Sequence, residues 1–205
     1  PGPLKAKIRQ SLILAARSIQ KRNVGPGYTN IAIMGTYVTY MTAHLYNIPD
    51  LKGYATNRLQ RFYAYTLQKG GFSEYNSPTY TIVALDELLR MKQHIKATDA
   101  QRKIDVLYRI GWDTIARHYH APTAQWTGPH SRSYRSLVRS DFYGLLNQAS
   151  DGQIDLGHAP GKRDIKKHHT IPASLLAHFL SPQYPRTEID VFEKTDPRIV
   201  GTSYL

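Results

Sequence analysis

Between residues 4 and 119 apolar side chains return every three or four positions in five successive blocks, each closed by a short breaker. Leu4, Ile8, Leu12, Ala15 and Ile19 mark the first, over residues 4–22, and Lys and Arg close it. Ile31, Met34, Val38, Met41 and Leu45 mark the second. The third carries Tyr54, Leu59, Phe62 and Tyr65, runs to Lys69 and stops at Gly70-Gly71. Ser77 reads as an N-cap with Pro78 at the first helical position. The fourth block then runs to about Ile95 with Ile82, Leu85, Leu88, Leu89 and Met91 inward. Thr98-Asp99-Ala100-Gln101 has the capping-box pattern and opens a fifth through Ile104, Leu107, Tyr108, Gly111 and Ile115, ending near Tyr119. Helical periodicity with such short connections predicts a mainly α chain of antiparallel helical hairpins. No repeat is evident in the sequence, so a bundle, a non-consensus solenoid and an arc of hairpins all fit.

After residue 120 the pattern changes. Residues 120–170 are rich in Pro, Gly, Ser, Arg and His with little periodicity, and this part is expected to be irregular. Short helices are expected at 140–149 and 172–180. The tail segments IDVFEK and RIVGTSYL are β-branched and alternating, as in a strand or an extended arm. The expected division is a helical domain over 1–180 and an extended tail over 181–205 that leads toward a further β domain.

Composition narrows the function classes. With 41% hydrophobic residues the chain can bury a core. It has no Cys, which excludes disulfides, thiolate metal sites and Cys nucleophiles. No stretch has the roughly 20 apolar residues of a membrane span. The start, PGPLKAKIRQ, lacks the short apolar block of a signal peptide, so no targeting signal is expected in this chain. The net charge of +12 favours a polyanionic partner. KRDIKKHH, residues 162–169, is basic but has no interleaved aromatics, and no phosphate-loop or dinucleotide fingerprint is present, which argues against nucleic acid and nucleotides.

Two stretches carry candidate chemistry. In GFSEYNSPTY, residues 71–80, a helix cap explains Ser77 and Pro78 but not Glu74, Tyr75, Asn76 and Tyr80 together. In TGPHSRSYR, residues 127–135, His130, Arg132 and Tyr134 alternate, so an extended segment would show all three on one side. His can take a proton near neutral pH, Arg can clamp a carboxylate, and Tyr can protonate a leaving oxygen. A basic surface loop is the plainer reading of that triplet. His118, His120, His158, His168, His169 and His178 form no recognised metal spacing, so no metal and no cofactor is expected.

The segments YTNIAIMGTYVTYMTAHLYN, GFSEYNSPTYTIVALDEL and TGPHSRSY resemble parts of bacterial and fungal proteins with an (α/α) toroid, a class that includes alginate, chondroitin and heparin lyases. The resemblance covers roughly residues 20–140. It implies a partial toroid and a secreted or periplasmic protein that cleaves an acidic, uronate-containing polysaccharide by β-elimination. It places Asn76 and Arg132 at the substrate carboxylate, His130 or a Tyr as base, and Tyr80 or Tyr134 as acid. Glu74, Tyr75, Trp126 and Arg135 would bind substrate, Tyr75 and Trp126 by stacking on sugars. A closed toroid uses ten or more helices, more than this chain supplies. Two alternatives stand beside it: a glycoside hydrolase using Glu74 with Asp86 or Asp141, which needs two carboxylates, and a non-catalytic glycan- or polyanion-binding module.

Overall fold

The computed structural model describes residues 2–157, 168–192 and 200–204, the last by backbone alone. The fold is mainly α. Five long helices, α1 (Pro3–Arg22), α2 (Thr29–Leu45), α3 (Pro49–Lys69), α4 (Tyr80–His94) and α5 (Thr98–His118), are followed by α6 (Ser140–Ala149) and α7 (Ala173–Leu180). Three residues join α2 to α3, and three join α4 to α5. A link that short cannot run the length of a helix, so each packed pair must be antiparallel. α2 lies beside α4 and α3 beside α5, which stacks the two hairpins; α1 packs on α2, and α7 on α5.

Local sequence explains most of the boundaries. Pro3 and Pro49 sit in the first turns of α1 and α3, and left-handed Asn23 and Gly70 end them. α4 begins at Tyr80, two residues later than its sequence pattern predicts, while Ser77 Oγ still accepts the Tyr80 N–H at 3.2 Å. The capping box at Thr98 does not form. Gln101 instead donates to the carbonyls of Lys92 and Ile95, so it fastens the α4–α5 turn.

The central core is built around Trp112, Tyr119, Phe142, Leu85, Leu88 and Ile104, all buried. An ideal Cβ on Gly111 would stand 2.8 Å from Leu85 Cδ2, so glycine lets α5 close on α4. Two apolar stripes are not core. Leu4, Ile8 and Leu12 are exposed, and only Ala16 of α1 is buried. α2 buries Ala32, Ile33, Thr36, Thr39, Tyr40 and Ala43; of the predicted stripe, Met41 is partly buried against the central core, while Ile31, Met34, Val38 and Leu45 lie outside it. Two of its threonines return hydroxyl protons to their own helix, Thr36 to the Ala32 carbonyl and Thr39 to the Gly35 carbonyl. That satisfies them internally and allows the small face to pack closely.

Beyond α5 the chain makes a two-residue hairpin, β1 (Tyr119–His120) with β2 (Gln125–Trp126), around a 3₁₀ turn. In the tail β3 (Thr187–Val191) pairs antiparallel with β4 (Val200–Tyr204). Arg186 anchors β3 by donating to the Ala116, Arg117 and Tyr119 carbonyls at the end of α5. Of the basic run, residues 162–167 lie outside the described residues, as does His158. Among the described residues no helix is long and apolar enough to cross a membrane.

Candidate functional site

The loop after α3 and the loop after β2 meet, and Asn76 is their rivet. It is 1% exposed and sits at φ 46°, a left-handed conformation that Asn tolerates better than most residues. Its Oδ1 accepts the Trp126 indole N–H. Its Nδ2 donates to the Thr127 carbonyl at 2.8 Å and the Pro129 carbonyl at 3.0 Å. Ser131 N–H donates to the Tyr75 carbonyl at 2.9 Å, which closes the seam. His130 joins it from the other side, with Nδ1 2.6 Å from the Asn76 carbonyl and Nε2 3.1 Å from the Trp126 carbonyl.

These bonds alter the expected roles. Both ring nitrogens of His130 face carbonyl oxygens, so no lone pair is presented to a substrate. The amide of Asn76 is committed to the seam rather than offered to a carboxylate. Trp126 is 2% exposed and packs on Phe142, a core position and not a stacking platform. The three-residue alternation also fails. Arg132 and Tyr134 have φ of 49° and 52°, so the segment is not extended, and His130 turns inward while its neighbours turn out.

Outside the seam lies a ridge of two phenols and a guanidinium. Tyr80 Oη is 3.2 Å from Tyr134 Oη. Arg132 Cζ lies 5.3 Å from the Tyr80 ring centre and 5.9 Å from that of Tyr28. The hydrogen bond shared with Tyr134, and then the hydrogen bond and charge of Arg132, lower the Tyr80 hydroxyl below the ordinary phenol value. The same bond raises Tyr134. The two phenols are therefore shifted in opposite directions.

Arg132 borders a cleft of about 310 Å³ with Gly27, Tyr28, Ser73, Glu74 and Ser131. Glu74 is 7% exposed, and its Oε2 has no hydrogen-bond partner among the described residues; nor has Ser131 Oγ. Tyr134 borders a second, more apolar cleft of about 390 Å³ with Trp126, Arg135, Leu137, Arg139 and Asp141. Arg135 is exposed there.

On the other side of Glu74 lies a third cleft of about 380 Å³, lined in part by Asp190 and Phe192 of the tail. Tyr75 turns into it, away from the ridge. Tyr75 Oη donates to Asp190 Oδ2 at 2.6 Å, and His118 Nε2 is 3.2 Å from the same oxygen. Arg117 binds Glu188 at 3.0 Å and Asp190 at 2.5 Å. Burial pushes the Asp190 carboxyl up, but hydrogen bonds from His118 and Tyr75 and the Arg117 charge outweigh it and hold Asp190 at about 2.

Residues 2–170 match the family described as a domain of unknown function, DUF8769. The chain belongs to that family. No curated protein and no solved structure matches it.

The geometry of this DUF8769 member therefore keeps Tyr80, Arg132 and Tyr134 together on the outside of the seam, with Glu74 buried in the cleft beside Arg132 and Arg135 in the neighbouring cleft, and turns Asn76, His130 and Trp126 to structural use. Sequence reasoning missed Tyr28, Arg117 and Asp190 and gave His118 no partner. Glu188 and Asp190 stand two apart in an alternating strand, so a shared face for the two acids was readable. Their partner Arg117 is seventy residues away, and nothing local points to it. Among the described residues no group of His, Asp and Glu converges as metal ligands.

Proposed function

We propose that the chain is a carbohydrate-active protein that cleaves an acidic, uronate-containing polysaccharide by β-elimination at the Tyr80–Arg132–Tyr134 ridge. The observation that carries the reading is the cleft beside Arg132. It joins a guanidinium for a uronate carboxylate, an aromatic wall at Tyr28, and two buried polar atoms, Glu74 Oε2 and Ser131 Oγ, that lack partners. Sugar hydroxyls both donate and accept, and would satisfy them. The net charge of +12 draws a polyanion toward the site. Stacked antiparallel hairpins also suit an (α/α) toroid built with further hairpins.

In this reading Arg132 binds the carboxylate and makes the C5 proton more acidic. Tyr80, the phenol shifted downward, takes that proton. The C4–O bond breaks as the C4–C5 double bond forms, and Tyr134 gives its proton to the leaving oxygen. His130 is replaced as base by Tyr80, because both of its nitrogens face carbonyls.

The test is a panel of uronate polysaccharides, followed by the ultraviolet absorbance of the new double bond. Tyr80→Phe and Tyr134→Phe are each expected to cut turnover by at least about a hundredfold with the fold intact. Full activity in both sinks the assignment. Buried Glu74 favours one rival reading, a glycoside hydrolase. Of its two candidate partners, Asp86 bonds His169 and Asp141 lies in the other cleft beside Arg139, so neither borders the cleft that Glu74 lines. New reducing ends without absorbance, abolished by Glu74→Gln, would establish that rival.

A further inference from the structure

The larger side chains of α2 that miss the core line a groove. Ile31, Met34 and Val38, with Ile19 of α1 and Val24 of the connecting loop, line about 170 Å³ of open groove, and Arg58 of α3 forms part of the wall. Arg58 is 3% exposed. Its Nη1 donates to the Val24 carbonyl at 3.0 Å and to the Tyr54 hydroxyl at 3.2 Å. Its Nε and Nη2, which share the other edge of the guanidinium, are buried without a partner. Among the described residues no carboxylate pairs with Arg58. A cation buried without a counter-charge carries a desolvation penalty, which an incoming anion would relieve.

The unpaired edge faces the groove's own wall. A Cβ built on Gly35 would stand 2.9 Å from Nη2, 3.3 Å from Nε and 3.1 Å from Ile19 Cγ2, and Gly35 and Ile19 both line the groove. Only a glycine leaves that approach to the guanidinium free of a side chain. An Nε–Nη2 edge offers two parallel N–H groups at the spacing of carboxylate oxygens.

We propose that this groove binds a short apolar carboxylate, with the head group on the Nε–Nη2 edge of Arg58 and the hydrocarbon along Ile31, Met34 and Val38. Arg22 at the groove adds a second positive charge. An apolar space of about 150 Å³ accepts a benzene-sized body, so ligands of roughly four to eight carbons fit. Both nitrogens are closed to water with Ile19 packed beside them, so entry requires Ile19 to turn aside. α1, which buries only Ala16, is the element free to yield.

The experiment is a ¹H–¹⁵N NMR titration of the wild-type chain with butyrate, hexanoate and octanoate, with 1-hexanol and inorganic phosphate as controls. At least one carboxylate is expected to give saturable shifts centred on residues 19, 31–38 and 58. Hexanol and phosphate are each expected to bind at least about tenfold more weakly than that carboxylate, since each lacks one half of the recognition. Arg58→Met and Gly35→Ala are expected to weaken it by a similar factor. Absence of saturable shifts with all three carboxylates overturns the proposal. So does equal binding of hexanol, which would remove the charge, or of phosphate, which would remove the apolar body. The wild-type comparisons decide the matter even if Arg58→Met does not fold.

Discussion

Replacing Asn76 by glycine removes its side chain without straining the backbone, because glycine accepts φ 46° at no steric cost. The Trp126 indole N–H and the Thr127 and Pro129 carbonyls then lose their partner. Each neutral bond is worth about 1 kcal/mol net, and a polar group left buried costs about 1–3 kcal/mol. Partial rehydration of the loop carbonyls moderates this, so the expected loss is about 3–4 kcal/mol, a large share of an ordinary domain's 5–15 kcal/mol. Asn76→Ala adds about 1 kcal/mol for a β-carbon in the left-handed region. Urea unfolding followed by tryptophan fluorescence measures both, and Trp126 is one of only two tryptophans. The expected order is wild type, then Gly, then Ala. If Asn76→Gly lost less than about 1 kcal/mol while abolishing glycan cleavage, the rivet argument would fail and Asn76 would return to the role of a substrate ligand.

Other outcomes follow from the tail. Asp190 is held at about 2 against an ordinary 3.8, so its folded value lies below its unfolded one. The stability it supplies is fully present above about pH 4 and is lost as pH falls through 2; the upper limit is about 2.5 kcal/mol, and solvent screening leaves about 1 kcal/mol. Urea midpoints between pH 4.5 and 2 should fall less in Asp190→Asn than in wild type, and parallel curves would refute the assignment. Arg186→Ala leaves three carbonyls at the end of α5 without their charged donor, and is expected to cost about 2 kcal/mol and speed hydrogen exchange across residues 187–191. Unchanged exchange there would mean that the strand pair holds itself.

The helices were legible because apolar spacing and breakers are local signals. Gly70-Gly71 ends α3 where its sequence implies, and α5 buries Ile104, Leu107 and Ile115 as its period requires. α2 misled because hydrophobicity ranked Ile31, Met34 and Val38 above a threonine and alanine face that packs better. Thr98 misled for a related reason: Gln101 had a longer-range partner, the carbonyls of the preceding turn. Both candidate loops were visible as unusual residue sets, and their meeting rests on bonds from Asn76 to Trp126, Thr127 and Pro129 that span some fifty positions. The alternation argument at 130–134 assumed extended backbone, and two left-handed residues invalidated it.

Arg132, one of those two residues, separates fold from function in one experiment. A non-glycine residue in the left-handed region costs about 1 kcal/mol, and asparagine bears it more easily than arginine. A cation–π contact at an exposed site returns about 0.5–1 kcal/mol. For Arg132, at φ 49° between the Tyr28 and Tyr80 rings, the two effects nearly cancel. Arg132→Asn is therefore expected to change unfolding free energy by less than about 0.5 kcal/mol. The same substitution removes the one guanidinium that, among the described residues, borders the cleft that holds Glu74 and Ser131. If the cleft reads a uronate, binding of acidic oligosaccharide should drop by at least about tenfold, the usual worth of a charged hydrogen-bond pair. Neutral oligosaccharide should be unaffected. A loss of several kcal/mol of stability would instead show that Arg132 belongs to the same internal framework as Asn76 and His130, and the ridge would then offer no cation for substrate.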